Sequence, residues 1–312
     1  MAYSQLPPFS TLLKSRDVED PVNLWLHRPL AYGLVTLIHR TPVTPNQITL
    51  LSMFVGLTAA ILWVLGSSTQ ILVGGILLWT SAILDGADGI LARAKNAHSE
   101  LGRALDGAAD MVVALSTVAA SFYHIWVKHH DPEHIPAMGI ALVTAVVQIQ
   151  LYDYYKELYQ NCMSPDRHGK ITTAADIEIR LEKAQANRAP FFIRFSWASY
   201  AGMLKSQEHI RRLTNPRATH ENFAFNTTEQ TASIYRKHNY WPMQLWTLIS
   251  LCPHTYMLSI CAIFNRIDIY LWYRVIGGNA IFLAAIIWQR VATNRTLRDF
   301  KIIDNRPAQT TT

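Results

Sequence analysis

The chain has 312 residues, of which half are hydrophobic and 16% are charged, with a formal net charge of +6. Several apolar runs approach the roughly 20 residues that a helix needs to cross a bilayer, and they predict a multi-pass α-helical membrane protein. The runs are continuous rather than alternating, which argues against a transmembrane β-barrel.

The N-terminal region, residues 1–47, is predicted to be cytoplasmic and to contain an amphipathic helix. Met1–Asp20 is polar and lacks the apolar core of a secretory signal peptide. Pro21–Arg40 mixes apolar residues with histidine and arginine, and its purely apolar stretch, Pro29–Ile38, is too short to span. We therefore expect a helix in the membrane interface. Thr44 or Asn46 is expected to cap the helix that follows.

Six apolar segments are predicted to be membrane spans, four within residues 48–155 and two within residues 240–292. Lysine and arginine are concentrated in the N-terminal region, the turn after the second span, residues 156–239 and the tail 293–312. The positive-inside rule places all of these segments in the cytoplasm. The predicted spans are approximately Ile48–Gly66, Ile71–Leu91, Leu105–Val127, Pro136–Tyr155, Pro242–Phe264 and Leu271–Val291.

The segment 156–239 between the fourth and fifth spans is predicted to be a cytoplasmic insert. Thr173 and Asp176 have the spacing of a capping box that opens a charged helix over Ile177–Gln185. Phe191–Leu213 then interleaves aromatic and basic residues. This composition suits a helix resting on an anionic membrane surface and equally an ordinary solvated helix packed on the insert itself.

Four aspartates lie at the junction of the second and third predicted spans, where charge is costly. Their spacing places Asp85 and Asp88 on one face of a helix, and Asp106 and Asp110 on one face of the next helix. The short link makes the two helices antiparallel neighbours, so we expect the carboxylates to converge. Their mutual repulsion then requires cations, and oxygen ligands favour Mg²⁺ or Mn²⁺.

Small residues and one arginine accompany the aspartates. Gly89 directly follows Asp88 and lets a phosphate or a backbone approach closely. Ala92 and Gly102 allow tight helix packing in a membrane. Arg93 offers a planar, permanently charged fork that suits phosphate oxygens. The sequence therefore predicts a metal site next to a phosphate site.

Together these residues spell D-x-x-D-G-x-x-A-R-x8-G-x3-D-x3-D between Asp85 and Asp110. The string resembles the complete signature of the CDP-alcohol phosphotransferase family, with no departure at any signature position. The stretch Thr44–Thr49 also resembles the Pro-Asn-x-Ile/Leu-Thr sequence that family members carry before their first span. The resemblance covers Pro21–Tyr155 well and the last two spans in outline. It does not cover the insert.

The resemblance implies an enzyme that moves a phosphoalcohol from a CDP-linked donor to a hydroxyl acceptor and releases CMP. It implies that Asp85, Asp88 and Asp106 hold two divalent ions, Mg²⁺ or Mn²⁺. Asp110 would complete the second metal site and act as the general base. The residues expected against the cytidine and its phosphates are Asn46, Thr49, Gly89, Arg93 and Ser99.

The expected partners are a CDP-linked lipid such as CDP-diacylglycerol, a hydroxyl acceptor, membrane lipids and a second copy of the chain, but no nucleic acid. The expected location is a bacterial inner membrane. Inositol, inositol phosphate, glycerol phosphate, serine and a lipid alcohol all stay open as acceptors, because the residues that choose the acceptor lie outside the motif.

Two other classes of function fit the sequence less well. A divalent-cation channel or transporter would distribute acidic residues along the depth of several spans, whereas here they cluster at one level. A non-catalytic relative is disfavoured by the intact signature.

Overall fold

The computed structural model describes residues 6–12, 16–97, 99–164, 173–187, 189–223 and 228–304. Within these residues the regular structure is helical and contains no strand, so the prediction of an all-α protein is confirmed. In chain order the α-helices are α1 (Phe9–Leu12), α2 (Arg28–Ile38), α3 (Pro45–Leu65), α4 (Ser68–Ala94), α5 (Glu100–His129), α6 (His134–Met163), α7 (Ala174–Ala186), α8 (Phe191–Thr214), α9 (Glu229–Thr247), α10 (Leu251–Ile263), α11 (Ile267–Tyr273) and α12 (Asn279–Asp304).

Among the described residues, six stretches of helix are long and apolar enough to cross a membrane, as the sequence predicts. The chain is therefore an integral, multi-pass membrane protein. The six stretches are Pro45–Leu65, Ser68–Ala94, Leu105–His129, His134–Met163, Glu229–Ile263 and Ile267–Lys301.

The last two stretches differ in detail from the predicted spans. The fifth is interrupted between Thr247 and Leu251, where α9 ends and α10 begins. The sixth contains a π-helical segment, Arg274–Gly278, between α11 and α12. Both begin earlier than predicted. The fifth begins at Glu229 because its helix continues through a polar segment, and the sixth begins at Ile267 because its helix includes the charged residue Asp268.

A side-chain cap positions the first turn of α3. Thr44 Oγ1 accepts a hydrogen bond from the Gln47 backbone N–H at 3.3 Å, and Gln47 Oε1 accepts one from the Thr44 N–H at 2.9 Å. Pro45 occupies the first helical position, which its fixed φ favours. The cap is therefore Thr44, and the Asn46 side chain is left out of it. The predicted capping box of Thr173 and Asp176, which opens α7, is confirmed in the same way.

One compact unit comprises residues 1–143 and 250–279 and contains all four aspartates of the motif. In this unit α3 packs against both α4 and α5. A Cβ atom at Gly56 of α3 would lie 2.7 Å from Val113 Cγ1 and 3.0 Å from Ser81 Oγ. Ser81 Oγ also donates a hydrogen bond to the Ser52 carbonyl at 2.8 Å. Small residues thus bring the helices into close contact, as they do in membranes.

Two further glycines hold α4 in place within the same unit. A Cβ atom at Gly75 would lie 2.8 Å from the Ser259 carbonyl oxygen and 2.9 Å from the Ile263 nitrogen, both in α10. Gly74 borders the buried Trp63, whose indole Nε1 donates to the Ile71 carbonyl at 3.1 Å. Helix α4, which carries two of the aspartates, is therefore packed closely against both α3 and α10.

The second compact unit comprises residues 144–249 and 280–312. A buried polar network joins its helices. Asn239 donates to Thr296 Oγ1 at 2.9 Å and accepts from Gln289 Nε2 at 2.9 Å. Asn215, just after α8, donates to Thr293 Oγ1 at 2.9 Å. Such hydrogen bonds hold helices together where lipid offers no hydrophobic driving force, and they fix the end of α8 to α12.

The substitution Gly75→Ala is expected to lower the thermal stability of the protein. The added methyl group meets backbone atoms of α10, which cannot rotate away, and overpacking of this kind typically costs about 1–3 kcal/mol. Gly33→Ala on α2 is the matched control, because a Cβ atom there meets nothing within 4 Å and alanine favours the helix. Thermal unfolding followed by circular dichroism measures both. An unchanged unfolding temperature for Gly75→Ala would contradict the close packing of α4 and α10.

Candidate functional site

The aspartates of the motif converge from α4 and α5. One carboxylate oxygen from each of Asp85, Asp88 and Asp106 lies within 4.8 Å of the other two. Asp110, one turn beyond Asp106, is close enough to Asp85 for the two carboxylates to interact. The helical spacing explains the arrangement, because residues three or four positions apart share a face. The structure thus brings all four predicted aspartates together.

This set of donors fits a hard divalent cation. Mg²⁺ and Mn²⁺ prefer oxygen ligands, and carboxylates are common among them. Asp88 is only 5% exposed, and like charges at such separations repel strongly away from water. A bound cation relieves that repulsion. Asp85, Asp88 and Asp106 are therefore able to hold a divalent metal ion.

Helix α3 orients one of the carboxylates. Thr49 Oγ1 donates a hydrogen bond to Asp88 Oδ2, and both residues are buried. A partner of this kind fixes the direction in which a ligand carboxylate points and tunes its affinity for metal. Sequence reasoning assigned Thr49 to the nucleotide. Its hydroxyl instead contacts the carboxylate cluster, and a direct contact with the nucleotide stays a prediction.

Two other predicted nucleotide contacts meet at the start of α5. A Cβ atom at Gly102 would lie 2.9 Å from Ser99 Oγ and 3.2 Å from Asn46 Oδ1. Ser99 Oγ accepts a hydrogen bond from the Gly102 N–H at 2.9 Å and so caps α5. The first turn of α3 and the first turn of α5 therefore border each other, and any residue larger than glycine at this point would collide with both polar side chains.

The remaining predicted nucleotide contacts are one turn apart on α4. A Cβ atom at Gly89 would lie 3.5 Å from Arg93 Nη1, and the Arg93 side chain is half-buried. Lys95, at the end of the same helix, donates to the carbonyls of Thr41 and Val43 at 2.8 and 2.7 Å. Lys95 thus ties the loop before α3 to the end of α4 and holds the two sides of the site together.

Sequence reasoning missed an ion pair next to the aspartates. Arg28 of α2 donates to both carboxylate oxygens of Glu19, at 3.0 and 3.2 Å, and to the Gly86 carbonyl at 3.4 Å. Burial alone would lower the pKa of Arg28, but the Glu19 carboxylate outweighs burial and raises it. The charge of Arg28 also acts on Asp85. The sequence feature that could have indicated this ion pair is the position of Arg28 in a largely apolar segment.

The substitution Thr49→Val is expected to weaken metal binding about 10- to 100-fold, the usual effect of losing a hydrogen bond to a metal ligand. Thr58→Val is the matched control on the same helix, because the exposed Thr58 hydroxyl bonds to the Phe54 carbonyl. Titration of purified protein with Mn²⁺, followed by electron paramagnetic resonance, measures the affinity. Equal affinities of the two variants would contradict the orienting role of Thr49.

Comparison with known proteins agrees with this geometry. Residues 42–179 match the family model for CDP-alcohol phosphatidyltransferase. The chain is also similar to the bifunctional IPC transferase and DIPP synthase of Aquifex aeolicus (strain VF5), with 30% identity over 119 residues. That alignment covers 37% of this chain and 26% of the relative, so the chain spans about a quarter of the relative's length.

The family match contains every residue of the carboxylate cluster and the four helices α3 to α6 that are long enough to span. The full aspartate motif, its convergence in the fold and the family model therefore all identify residues 42–179 as a CDP-alcohol phosphatidyltransferase domain.

Proposed function

We propose that this protein is a metal-dependent CDP-alcohol phosphotransferase of phospholipid biosynthesis. It would move a phosphoalcohol group, such as the phosphatidyl group of CDP-diacylglycerol, to a hydroxyl acceptor and release CMP. The observation that carries the proposal is the convergence of the Asp85, Asp88 and Asp106 carboxylates inside a domain that matches this family.

The carboxylates would bind the metal that the reaction needs. Asp85, Asp88 and Asp106 would hold two Mg²⁺ or Mn²⁺ ions, with Asp110 completing the second site. A divalent ion held by these residues would supply positive charge that neutralises the pyrophosphate and favours the departure of CMP. Phosphoryl transfer depends mainly on such positioning and charge stabilisation, so the rigid packing of α4 against its neighbours supports the role.

Asp110 is proposed as the general base. The acceptor hydroxyl oxygen would attack the phosphorus that carries the donor's alcohol, and the bond from this phosphorus to the CMP oxygen would break. The hydroxyl proton would pass to the Asp110 carboxylate and later to water, leaving a phosphodiester and CMP. The half-buried position of Asp110 beside Asp85 supports this assignment.

The CDP moiety would lie along the surfaces that border the cluster. Arg93 would bind phosphate oxygens with its guanidinium fork, and Gly89 would let the phosphates approach α4 closely. Asn46 and Ser99, which both border Gly102, would contact the cytidine. Thr49 would act through Asp88, to which it donates its hydrogen bond.

We also propose that the site faces the cytoplasm, in a bacterial inner membrane, and that the chain is a homodimer. The distribution of lysine and arginine supports this orientation. Residues 48–155 would carry the chemistry, between an N-terminal region (1–47) and an insert (156–239). Residues 240–292 would complete the spans, and residues 293–312 would form a cytoplasmic tail.

The decisive experiment measures CMP release from CDP-diacylglycerol by the purified protein, with Mg²⁺ or Mn²⁺ and a panel of acceptors. Inositol, inositol phosphate, glycerol phosphate and serine form the panel. We expect metal-dependent CMP formation that Asp110→Asn lowers by at least about 100-fold, the lower end of what a positioned base contributes. Asp153→Asn, which changes an exposed aspartate on α6, is the matched control and should keep the wild-type rate.

Two results would count against the proposal. A wild-type rate in Asp110→Asn would refute the assignment of the base while leaving the transferase intact. The absence of CMP from every CDP-linked donor, in protein that still binds Mn²⁺, would refute the transferase. Metal-ion flux through liposomes without CMP formation would favour a cation transporter in its place.

A further inference from the structure

Helix α8, in the insert, packs one face against α7 and exposes apolar side chains on the opposite face. The packed face contains Ala201 and Leu204, which form a small core with Ile177 of α7. At about 100° per residue, Phe195, Met203 and Leu213 project from the other side. They are 57%, 38% and 69% exposed, respectively. We call these three residues the outer face of α8.

The apolar side chains of the outer face are not scattered singly, as exposed apolar residues normally are on soluble proteins. Single exposed apolar residues need no explanation, but several on one side of one helix mark a surface that contacts something apolar. Between them lie the small residues Ser199, Gly202 and Ser206 and one larger residue, His209, all of which are exposed. The apolar side chains and His209 therefore extend furthest from the helix on this face.

Contacts with α6 fix the position of α8 along a membrane span. Gln207 Nε2 donates to the Gln150 carbonyl at 2.7 Å, and the Arg211 guanidinium lies 6.0 Å from the Tyr154 ring. Val146 is an apolar residue of α6 that is 49% exposed. Gln150 lies one helical turn after it, or about 6 Å along the helix. Charged residues begin at Asp153. Helix α8 thus contacts α6 at the level where the span changes from apolar to charged.

Two contacts one helical turn apart hold the C-terminal half of α8 against α6. Gln207 and Arg211 are four residues apart in α8, and they meet Gln150 and Tyr154, which are four residues apart in α6. This half of α8 is therefore held beside the charged end of the span.

Basic residues flank the outer face. Arg194, Lys205 and Arg212 are exposed along one side of it, and the last two also pair with Glu178 and Glu208. Cationic residues beside exposed apolar ones are the composition of helices that bind anionic membrane surfaces. An anionic lipid surface would contact the apolar residues of α8 with its acyl chains and the basic residues with its headgroups.

We infer that α8 is an interfacial helix whose outer face is inserted among the lipid headgroups of the membrane in which the protein is embedded. Helix α7 lies on its opposite side, in water, as its exposed charged residues require. Interfacial helices of this kind bury their apolar face about 5–10 Å into the headgroup region. The insert thus has a membrane-binding function of its own, which does not depend on the proposed transferase activity.

The test uses the full-length protein in lipid nanodiscs, with its three cysteines replaced by alanine and a single cysteine introduced at Met203. An environment-sensitive fluorophore at this position should show blue-shifted emission. Lipids that carry a nitroxide near the headgroup should quench it several-fold more than aqueous iodide does. Glu182→Cys on α7 is the control for water, and Val146→Cys on α6 is the control for lipid.

A second measurement avoids the engineered background. Hydroxyl-radical footprinting of the wild-type protein in nanodiscs should leave Met203, Phe195 and Leu213 poorly oxidised. Ile179 on α7, which is 50% exposed, should be oxidised at the rate expected for its chemistry. These rates are compared after correction for the intrinsic reactivity of each residue type.

Two outcomes would overturn the inference. If the fluorophore at Met203 behaves like the one at Glu182, or if the outer face is oxidised like Ile179, the outer face lies in water. If the fluorophore at Met203 is protected from both lipid nitroxide and iodide, a protein surface such as a second copy of the chain covers it instead.

Discussion

Repulsion among carboxylates is the constraint on which the rest of this structure depends. Asp85, Asp88 and Asp106 place oxygens within 4.8 Å of one another, at the base of helices long and apolar enough to span a membrane. Helices that carry such charges separate unless packing holds them. The close contacts of Gly56 and Gly75 supply that packing, and so the fold itself maintains a cluster of carboxylates whose chemistry suits a divalent cation.

Around this cluster, neighbouring elements each fix one boundary of the site. Thr49 orients Asp88 from α3, and Lys95 ties the end of α4 to the loop before α3. From the N-terminal side, the Glu19–Arg28 ion pair contacts α4 at Gly86. Phosphoryl transfer needs charges at fixed positions more than it needs reactive groups. The same contacts that stabilise the helices would therefore also fix the charges that the proposed transfer needs.

The second unit joins the helices of the predicted insert to helices that are long and apolar enough to span a membrane. Its buried hydrogen bonds, centred on Asn239 and Asn215, fix the end of α8 without exposing unpaired polar groups to lipid. Beyond this anchor α8 contacts α6 where the span becomes charged. At that level α8 would lie next to the lipid headgroups. This position would explain why apolar residues are exposed on the side of α8 that faces away from α7.

The sequence by itself determined the helical class, the six spans, the cap at Thr173 and the aspartate motif, because these follow from local periodicity and spacing. Only the tertiary structure decided that Thr49 contacts a carboxylate and that Arg28 contacts the Gly86 carbonyl, next to Asp85 in the chain. These contacts join residues that are far apart in the chain. No spacing rule encodes them, and packing alone selects them.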